Sequence, residues 1–535
     1  MLFYSFFLIL TLSSLSQTRA DSLRGFLSPQ RSCYDVLEYD LDLLINFSQK
    51  SISGSNTISF NVLHDFDQLQ VDLFENMIID SILHDGLQLD FEREYDAVFV
   101  KFPWKVLKGS YGEIKIYYHG KPKEAVNPPW DGGFSWKKDL HKRDWLGVSC
   151  EGIGASLWWP NKDHLSDEPT KMTMSFTVPS SLTAVSNGRL VSTEKINRDL
   201  TKYTYKVVNP INNYNVTLNV GSYAHIADRF VGEKNKLLDL DFYVLHYNKD
   251  TASVHFKQVK DILLVFEKYF GPYAFYQDGY KLVETSYWGM EHQSCISYGN
   301  NYKNNQWGFD FIILHETAHE WFGNSLSMID QGEMWLHEAF ATYAEALYVE
   351  EKKGFYESVK YLISKKGSIN NSTPILGPLG VNYEWKDIDI YNKGAWMLHT
   401  LRTVIGNDPV WFDIIKEYSI TNRRSSVRTH DFVEMVNHHT GVDFAYFFDQ
   451  YLGKASIPKL ECKLEKAKKG KMTLSYRWTN VHDKFVMPIQ VTSQSGRYYW
   501  IQPSTKWKHK EVKKMSAADF KPATHLFLVD YEVMR

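Results

Sequence analysis

The sequence predicts a multidomain α+β fold, with an N-terminal antiparallel β domain, a mainly α middle and a small C-terminal β-sandwich. Three observations carry this expectation. Residues 34–225 run in short stretches that alternate apolar and polar, such as Lys-Met-Thr-Met-Ser-Phe-Thr-Val before Pro179, the period of a half-buried strand. After residue 250 the apolar spacing becomes helical, and past Ile457 alternation returns. At 535 residues the chain is also too long for one hydrophobic core.

The N-terminus opens with an apolar run over 2–15, followed by small residues Thr18 and Ala20 where a signal peptidase would read. This is the pattern of a secretory signal, too short for a comfortable membrane span. The expectation is an exported protein, periplasmic or secreted, whose mature chain starts near Asp21. No later run predicts an integral span. A formal net charge of −3 and a pI near 6.7 offer no basic surface for nucleic acid or an anionic membrane.

Strands are expected at 40–47, 55–63, 97–102, 113–118, 170–178 and 202–208. Helices are expected at 254–269, 309–322, 336–352, 355–365, 393–405, 409–418 and 429–440, the first stopping at Gly271-Pro272. Strands resume at 471–478, 485–492, 498–503 and 524–529. Cys33, Cys150, Cys295 and Cys462 permit one or two disulfides in an oxidising compartment, with three full pairings open. They form no CxxC, which disfavours a cysteine-built zinc site. Asn46 and Asn215 head glycosylation tripeptides, relevant where the host glycosylates.

The chemistry concentrates in His315-Glu316-Thr317-Ala318-His319. Residues four apart stand one above the other on a helix, so both imidazoles can share one ion. Glu316 projects beside them, where it can hold a water rather than the metal. A hydrolytic zinc site needs a third protein ligand and an open position. Glu338, at the start of the next helix in Trp335-Leu336-His337-Glu338-Ala339-Phe340-Ala341, offers it. Asn324 follows Trp321-Phe322-Gly323 at the end of the first helix, and Glu345 lies two turns beyond Glu338, as a candidate to orient a ligating histidine.

HETAHEWFGN, then WLHEAFATYAE after the eighteen residues 320–337, resembles the zinc core of the aminopeptidase N family. His337 stands for that family's Asn and Ala339 for its Gly. The resemblance implies a thermolysin-like catalytic domain over 229–453, flanked by a β domain at 21–228 and a β-sandwich at 454–535. It implies one Zn2+ held by His315, His319 and Glu338, with Glu316 as general base. Trp288-Gly289-Met290-Glu291-His292 resembles the family's GxMEN segment, so Glu291 is expected to bind a substrate α-amine. Gly289 and Met290 are expected beside the first residue. Ser149-Cys150-Glu151 resembles the stretch that supplies a second group to the amine, which points to Glu151. Tyr391-Asn392-Lys393-Gly394-Ala395 resembles the segment whose Tyr stabilises the oxyanion. An ammonium is the charge of a free peptide N-terminus near neutral pH, and carboxylates without their own cations are its natural receptors.

The expected activity is therefore aminopeptidase hydrolysis of peptides with a free N-terminus. A zinc endopeptidase sharing the metal core, a non-catalytic peptide-binding homologue and an epoxide hydrolase of the broader group are the alternatives. Many family members carry a large C-terminal helical domain over the cleft. Here the last 80 or so residues read as β, so a short member with a more open cleft is expected.

Overall fold

The computed structural model describes residues 18–383, 385, 387–468, 471–492, 496–513 and 519–534. The apolar run of the expected signal lies outside the described residues. Thr18 caps the helix α1 (Arg19–Gly25), accepting from the Asp21 N–H while Asp21 accepts from the Thr18 N–H.

The first half is β. Its largest sheet runs Arg189–Lys195, Leu200–Val207, Lys171–Pro179, Tyr34–Asn46, Ser51–Val62, Tyr111–Gly120, Met77–His84 and Leu87–Gln88. The alternation read from sequence is borne by packing, with Met172, Met174, Phe176 and Val178 all buried on one face. One ladder departs from the antiparallel expectation, since Tyr34–Asn46 pairs with Lys171–Pro179 in parallel. The two are far apart in sequence, and the long connection between them frees the direction that a hairpin would impose. A smaller sheet, ordered Thr183–Ser186, Leu218–Gly221, Asp144–Ser149 and Gly133–Lys138, presents the 149–152 turn towards the second half.

A five-stranded sheet follows that the sequence reading lacked, because it took the middle of the chain as helical. Its order is Tyr223–Val231, Leu237–Leu245, Tyr280–Glu284, Ile296–Tyr298 and Gly289–Met290. Tyr280–Glu284 is buried at every position, so it shows no alternation, as for strands covered on both faces. The last strand, Gly289–Met290, is the sheet's edge and pairs only with Ile296–Tyr298.

After the short α2 (Pro29–Ser32), the helices are α3 (Lys249–His255), α4 (Gln258–Phe270), α5 (Phe311–His319), α6 (Trp335–Lys353), α7 (Phe355–Lys366), α8 (Asp389–Ile405), α9 (Asp408–Thr421), α10 (Thr429–Thr440) and α11 (Ala445–Tyr451). Most bounds match the apolar periodicity. The expected helix at 254–269 is divided between α3 and α4. α8 starts four residues before the expected 393, which puts Tyr391 in its first turn. α6 is buried from Trp335 through Val349, the pattern of a helix enclosed on all sides.

Towards the C-terminus, Lys508–Lys513, Lys471–Thr479, Lys459–Lys466 and Asp530–Met534 form one sheet, and Ile489–Thr492 pairs with Tyr498–Ile501. The strand expected at 524–529 is instead a turn whose Phe527 and Leu528 fill the core, and the strand itself begins at Asp530. The core of this β unit is continuous with that of the helices. Thr400 Oγ1 accepts from the Leu528 N–H, and Tyr451 Oη donates to the Leu528 carbonyl. The four cysteines are buried and free, so the disulfide option is not used. Asn215 is fully buried and cannot carry a glycan in this fold.

The helix that matters most chemically is anchored at its start. Asp310 caps α5, accepting from the Ile312 N–H at 3.0 Å. Its carboxylate also accepts from Tyr298 Oη (2.7 Å) and Asn300 Nδ2 (2.8 Å) and meets His255 Nε2 at 2.7 Å. Asp310→Ala removes the cap and strands buried donors. It is expected to lower stability by about 2–4 kcal/mol in reversible chemical unfolding. A loss under about 0.5 kcal/mol would mean the helix start is held by something else.

Candidate active site

α5 and α6 set three donor atoms around one point. His315 Nε2 and His319 Nε2 lie 3.3 Å apart, and Glu338 Oε2 is 3.4 Å from the first and 3.5 Å from the second. Ligands bonded tetrahedrally at zinc distances stand roughly 3.4 Å from one another. The two imidazoles are already aimed. His315 Nδ1–H donates to Glu345 Oε1 at 2.7 Å, and His319 Nδ1–H to the Phe322 carbonyl at 2.9 Å, which leaves both Nε2 lone pairs pointing inward. Glu338 Oε2 is buried with no hydrogen-bond donor positioned on it. Two nitrogens and one carboxylate oxygen, with an open side, are a donor set that fits zinc.

The electrostatics ask for a cation at that point. Burial opposes an imidazolium, yet Glu338 and Glu345 raise His315 to about 10, and Glu338 and Glu291 raise His319 to about 9. Burial also opposes the Glu338 carboxylate, but the two histidines hold it well below the usual range. Glu345 is held down by Lys365, 2.9 Å away, and by His315, and Tyr361 Oη donates to it. Glu316 differs: burial pushes its carboxyl up to about 8 against the pull of the histidines. It stands between the metal donors and Glu291, with Glu291, Glu316 and His319 offering atoms within 4.8 Å of one another.

The strand Gly289–Met290 leads into Glu291. A Cβ on Gly289 would lie 2.6 Å from Glu316 Oε1 and 2.7 Å from Ile312 Cγ2, so a side chain here would displace the Glu316 carboxylate and Ile312. Met290 is 2% exposed and packs into the core of the β half. Asn324 Nδ2 donates to the Glu291 carbonyl at 2.8 Å, tying the end of the metal helix to this segment. Glu151 comes from the 149–152 turn, and its carboxyl lies within hydrogen-bonding reach of Glu291. Burial, then the Glu291 charge, drive Glu151 far above the usual carboxyl range, and its Oε1 is buried without a partner.

Tyr391 stacks on His315, with ring centroids 6.0 Å apart at 29°. Burial, then the Glu338 carboxylate, raise its hydroxyl far above its ordinary value and keep it a donor. Its position depends on how closely α8 approaches α6. A Cβ on Gly394 would sit 2.4 Å from the Ala339 Cβ, so a side chain at 394 would push the two helices apart. His337 Nε2 accepts from the Met328 N–H at 2.8 Å, and burial holds it down to about 3, hence neutral. His292 is likewise held to about 3 by burial and meets Ser297 Oγ at 3.1 Å.

Two contributors escaped the sequence reading. Tyr214 Oη donates to Glu291 Oε1 at 3.3 Å, and it lies in a short turn with no motif. Arg24 and Gly25 line the cavity beside Glu151 and Tyr214, together with Asp330, Gln331 and Val381. No periodicity in the sequence links a residue near the start of the chain to a loop at 381.

Sequence comparison bears on this geometry. The profile of the M1 peptidase N-terminal domain matches residues 36–214, and that of the peptidase family M1 domain matches 255–451. Glutamyl aminopeptidase from Sus scrofa is 24% identical over 83% of this chain and 50% of its own length. Aminopeptidase 2 from Candida albicans is 21% identical over 79% of this chain and 47% of its own. The chain thus spans about half the length of these curated relatives. Among solved structures, an M1 zinc metallopeptidase from Deinococcus radiodurans, a mutant bound to a Tyr-Ser-Ala substrate, superposes with a TM-score of 0.70. It is 22% identical and covers 82% of this chain and 97% of that one.

Glu345→Ala frees the His315 ring to rotate and change tautomer. Zinc affinity, measured by competition with a chromophoric chelator, is expected to fall roughly 10–100-fold. Affinity within two-fold of the native protein would show that Glu345 does not orient the ring.

Proposed function

Because the chain belongs to peptidase family M1, we propose that it is a zinc aminopeptidase that hydrolyses the first peptide bond of substrates with a free N-terminus. The observation that carries this reading is the pair Glu151 and Glu291, two adjoining carboxyl groups without a cation of their own, beside the three zinc donors. A peptide ammonium between them relieves the repulsion that drives Glu151 upward. That contact fixes the register, so only the first carbonyl can reach Glu316.

His315, His319 and Glu338 hold the zinc, which when bound lowers the pKa of a coordinated water to about 7 and polarises the carbonyl. Glu316, adjoining the metal donors, accepts the proton of the attacking water as carboxylate and passes it to the leaving amine. Tyr391 donates a hydrogen bond to the oxygen of the attacked carbonyl as charge develops there. Glu345 and the Phe322 carbonyl keep the imidazoles turned to the metal. The tripeptide held by the Deinococcus relative supports substrates longer than a dipeptide. Export to the periplasm or the medium is part of the proposal, supported by the apolar run over 2–15. Among the described residues no helix is long and apolar enough to cross a membrane.

Three outcomes test it. Glu316→Gln should lose about 10²–10⁴-fold in kcat while retaining stoichiometric zinc, and near-native turnover would remove Glu316 from the chemistry. In a panel of free and N-acetylated aminoacyl fluorogenic substrates, only the free-amine set should be cleaved, and a chelator should abolish it. Equal cleavage of acetylated peptides would identify an endopeptidase instead. N-terminal sequencing of protein recovered from outside the cytoplasm should begin near Asp21, whereas a cell-retained chain starting at Met1 contradicts export.

A further inference from the structure

An aromatic path leads away from the metal donors to the surface. Phe311, one turn before His315 on α5, stacks on its imidazole with centroids 5.4 Å apart at 29°. Trp288 lies 5.7 Å from Phe311, and Trp130 lies 6.3 Å from Trp288. The two indoles are the outer members, 46% and 63% exposed. Both are held in place. Trp288 Nε1 donates to Asn300 Oδ1 at 3.1 Å, and Asn300 Nδ2 in turn donates to Asp310, the cap of α5. Trp130 sits on a loop clamped by Lys123, which donates to the Asp131 and Gly132 carbonyls, and by Asp131, which accepts from the Val126 and Asn127 N–H groups.

The direction of the path follows from the edge strand. Gly289–Met290 has a ladder partner on one side only, so its other edge can pair with an extended peptide. Reading back along the chain, Glu291 marks the amine, Gly289 lies against Glu316, and Trp288 comes next. A peptide whose amine is at Glu291 therefore passes the reacting groups level with Gly289. At about 3.3 Å per residue, its second and third residues come level with Trp288 and Trp130. Two preorganised, solvent-facing indoles beside a substrate's path supply apolar area at low entropic cost.

From this geometry we infer that Trp288, Trp130 and Phe311 form a specificity subsite. It takes a large apolar or aromatic side chain on the leaving-group side of the scissile bond, at the second or third residue. The inference rests on the aminopeptidase reading and adds a preference to it. Lys365 Nζ, paired with Glu345, lies 5.2 Å over the Phe311 ring, so the inner ring already has its cation and the outer indoles are left for the substrate.

The test uses C-terminally amidated tripeptides with a free amine and a fixed first residue, carrying Phe, Ser or Lys at the second or third position. The native protein is expected to show kcat/KM roughly tenfold higher for Phe than for Ser at one of these positions. Trp288→Ala and Trp130→Ala should bring that ratio towards one, and Trp288→Tyr should restore most of it. Hydrolysis of the single-residue amide, which has no downstream side chain, reports whether each variant's reaction centre is intact. The same peptides are titrated against Glu316→Gln by calorimetry, so the preference is read in binding as well as in turnover. A Phe/Ser ratio near one in the native protein overturns the inference, as does a ratio that survives both alanine variants. Phe-selective binding without turnover of any free-amine peptide leaves the subsite standing and overturns the aminopeptidase reading. Failure of every peptide to bind or react overturns both.

Discussion

The rest of the structure depends on a single electrostatic demand, a buried point where Glu338 meets the inward-facing nitrogens of His315 and His319. Burying carboxylates in apolar surroundings is costly unless a cation or strong donors compensate. Around this point Glu316, Glu291, Glu151 and Glu345 are also gathered. The protein resolves the conflict by partition. Glu345 is satisfied by Lys365, Tyr361 and His315, and Glu338 is committed to the metal position. Glu316 and Glu151 are left without a cation among the described residues, their carboxyls raised by burial.

That partition holds only if several segments are fixed relative to one another, and the fixing is done by hydrogen bonds rather than by the motif itself. Asp310 ties the start of α5 to the strand Ile296–Tyr298 and to α3. Asn324 ties its end to Glu291. Glu320, buried and raised to about 7 by that burial, accepts from Tyr273 Oη and from the Ser294 N–H. These bonds brace the segment between Glu291 and the following strand. The amine end and the metal end of the site are thus two ends of one braced unit. A shift of either would change how Glu291 and the metal donors stand relative to Glu316, and catalysis is sensitive to displacements of about 1 Å.

Legibility in the sequence tracked the range of the interaction. α6, α7, α9 and α10 were readable because apolar spacing and breakers such as Gly354 and Pro409 are local. The two imidazoles were readable from a four-residue spacing. The inner strands of the five-stranded sheet, Tyr280–Glu284 and Ile296–Tyr298, were not, because strands buried on both faces lose the period-2 contrast. The segment 524–529 misled for the opposite reason: its apolar residues fill the core from a turn. Met290, expected beside the first residue, packs into the core of the β half, a contact the sequence did not announce. The departure His337 acquired a meaning only through the Met328 N–H, from which it accepts a hydrogen bond, a contact no periodicity announces.

What the sequence determined by itself was chemical identity: two histidines and a glutamate one helical turn apart, a carboxylate at 338, and an acidic residue after Gly289-Met290. These are fixed by residue type and local helical geometry, which the chain carries with it. What only the tertiary structure decided was convergence. It brought Glu151 of the β half to Glu291 and Tyr214 to the same carboxylate. It also set Tyr391 over His315, and Trp130 beside Trp288. Contacts between segments far apart in the chain depend on sheet order, helix approach and buried hydrogen bonds. No one-dimensional pattern encodes these, because each is a property of two surfaces meeting.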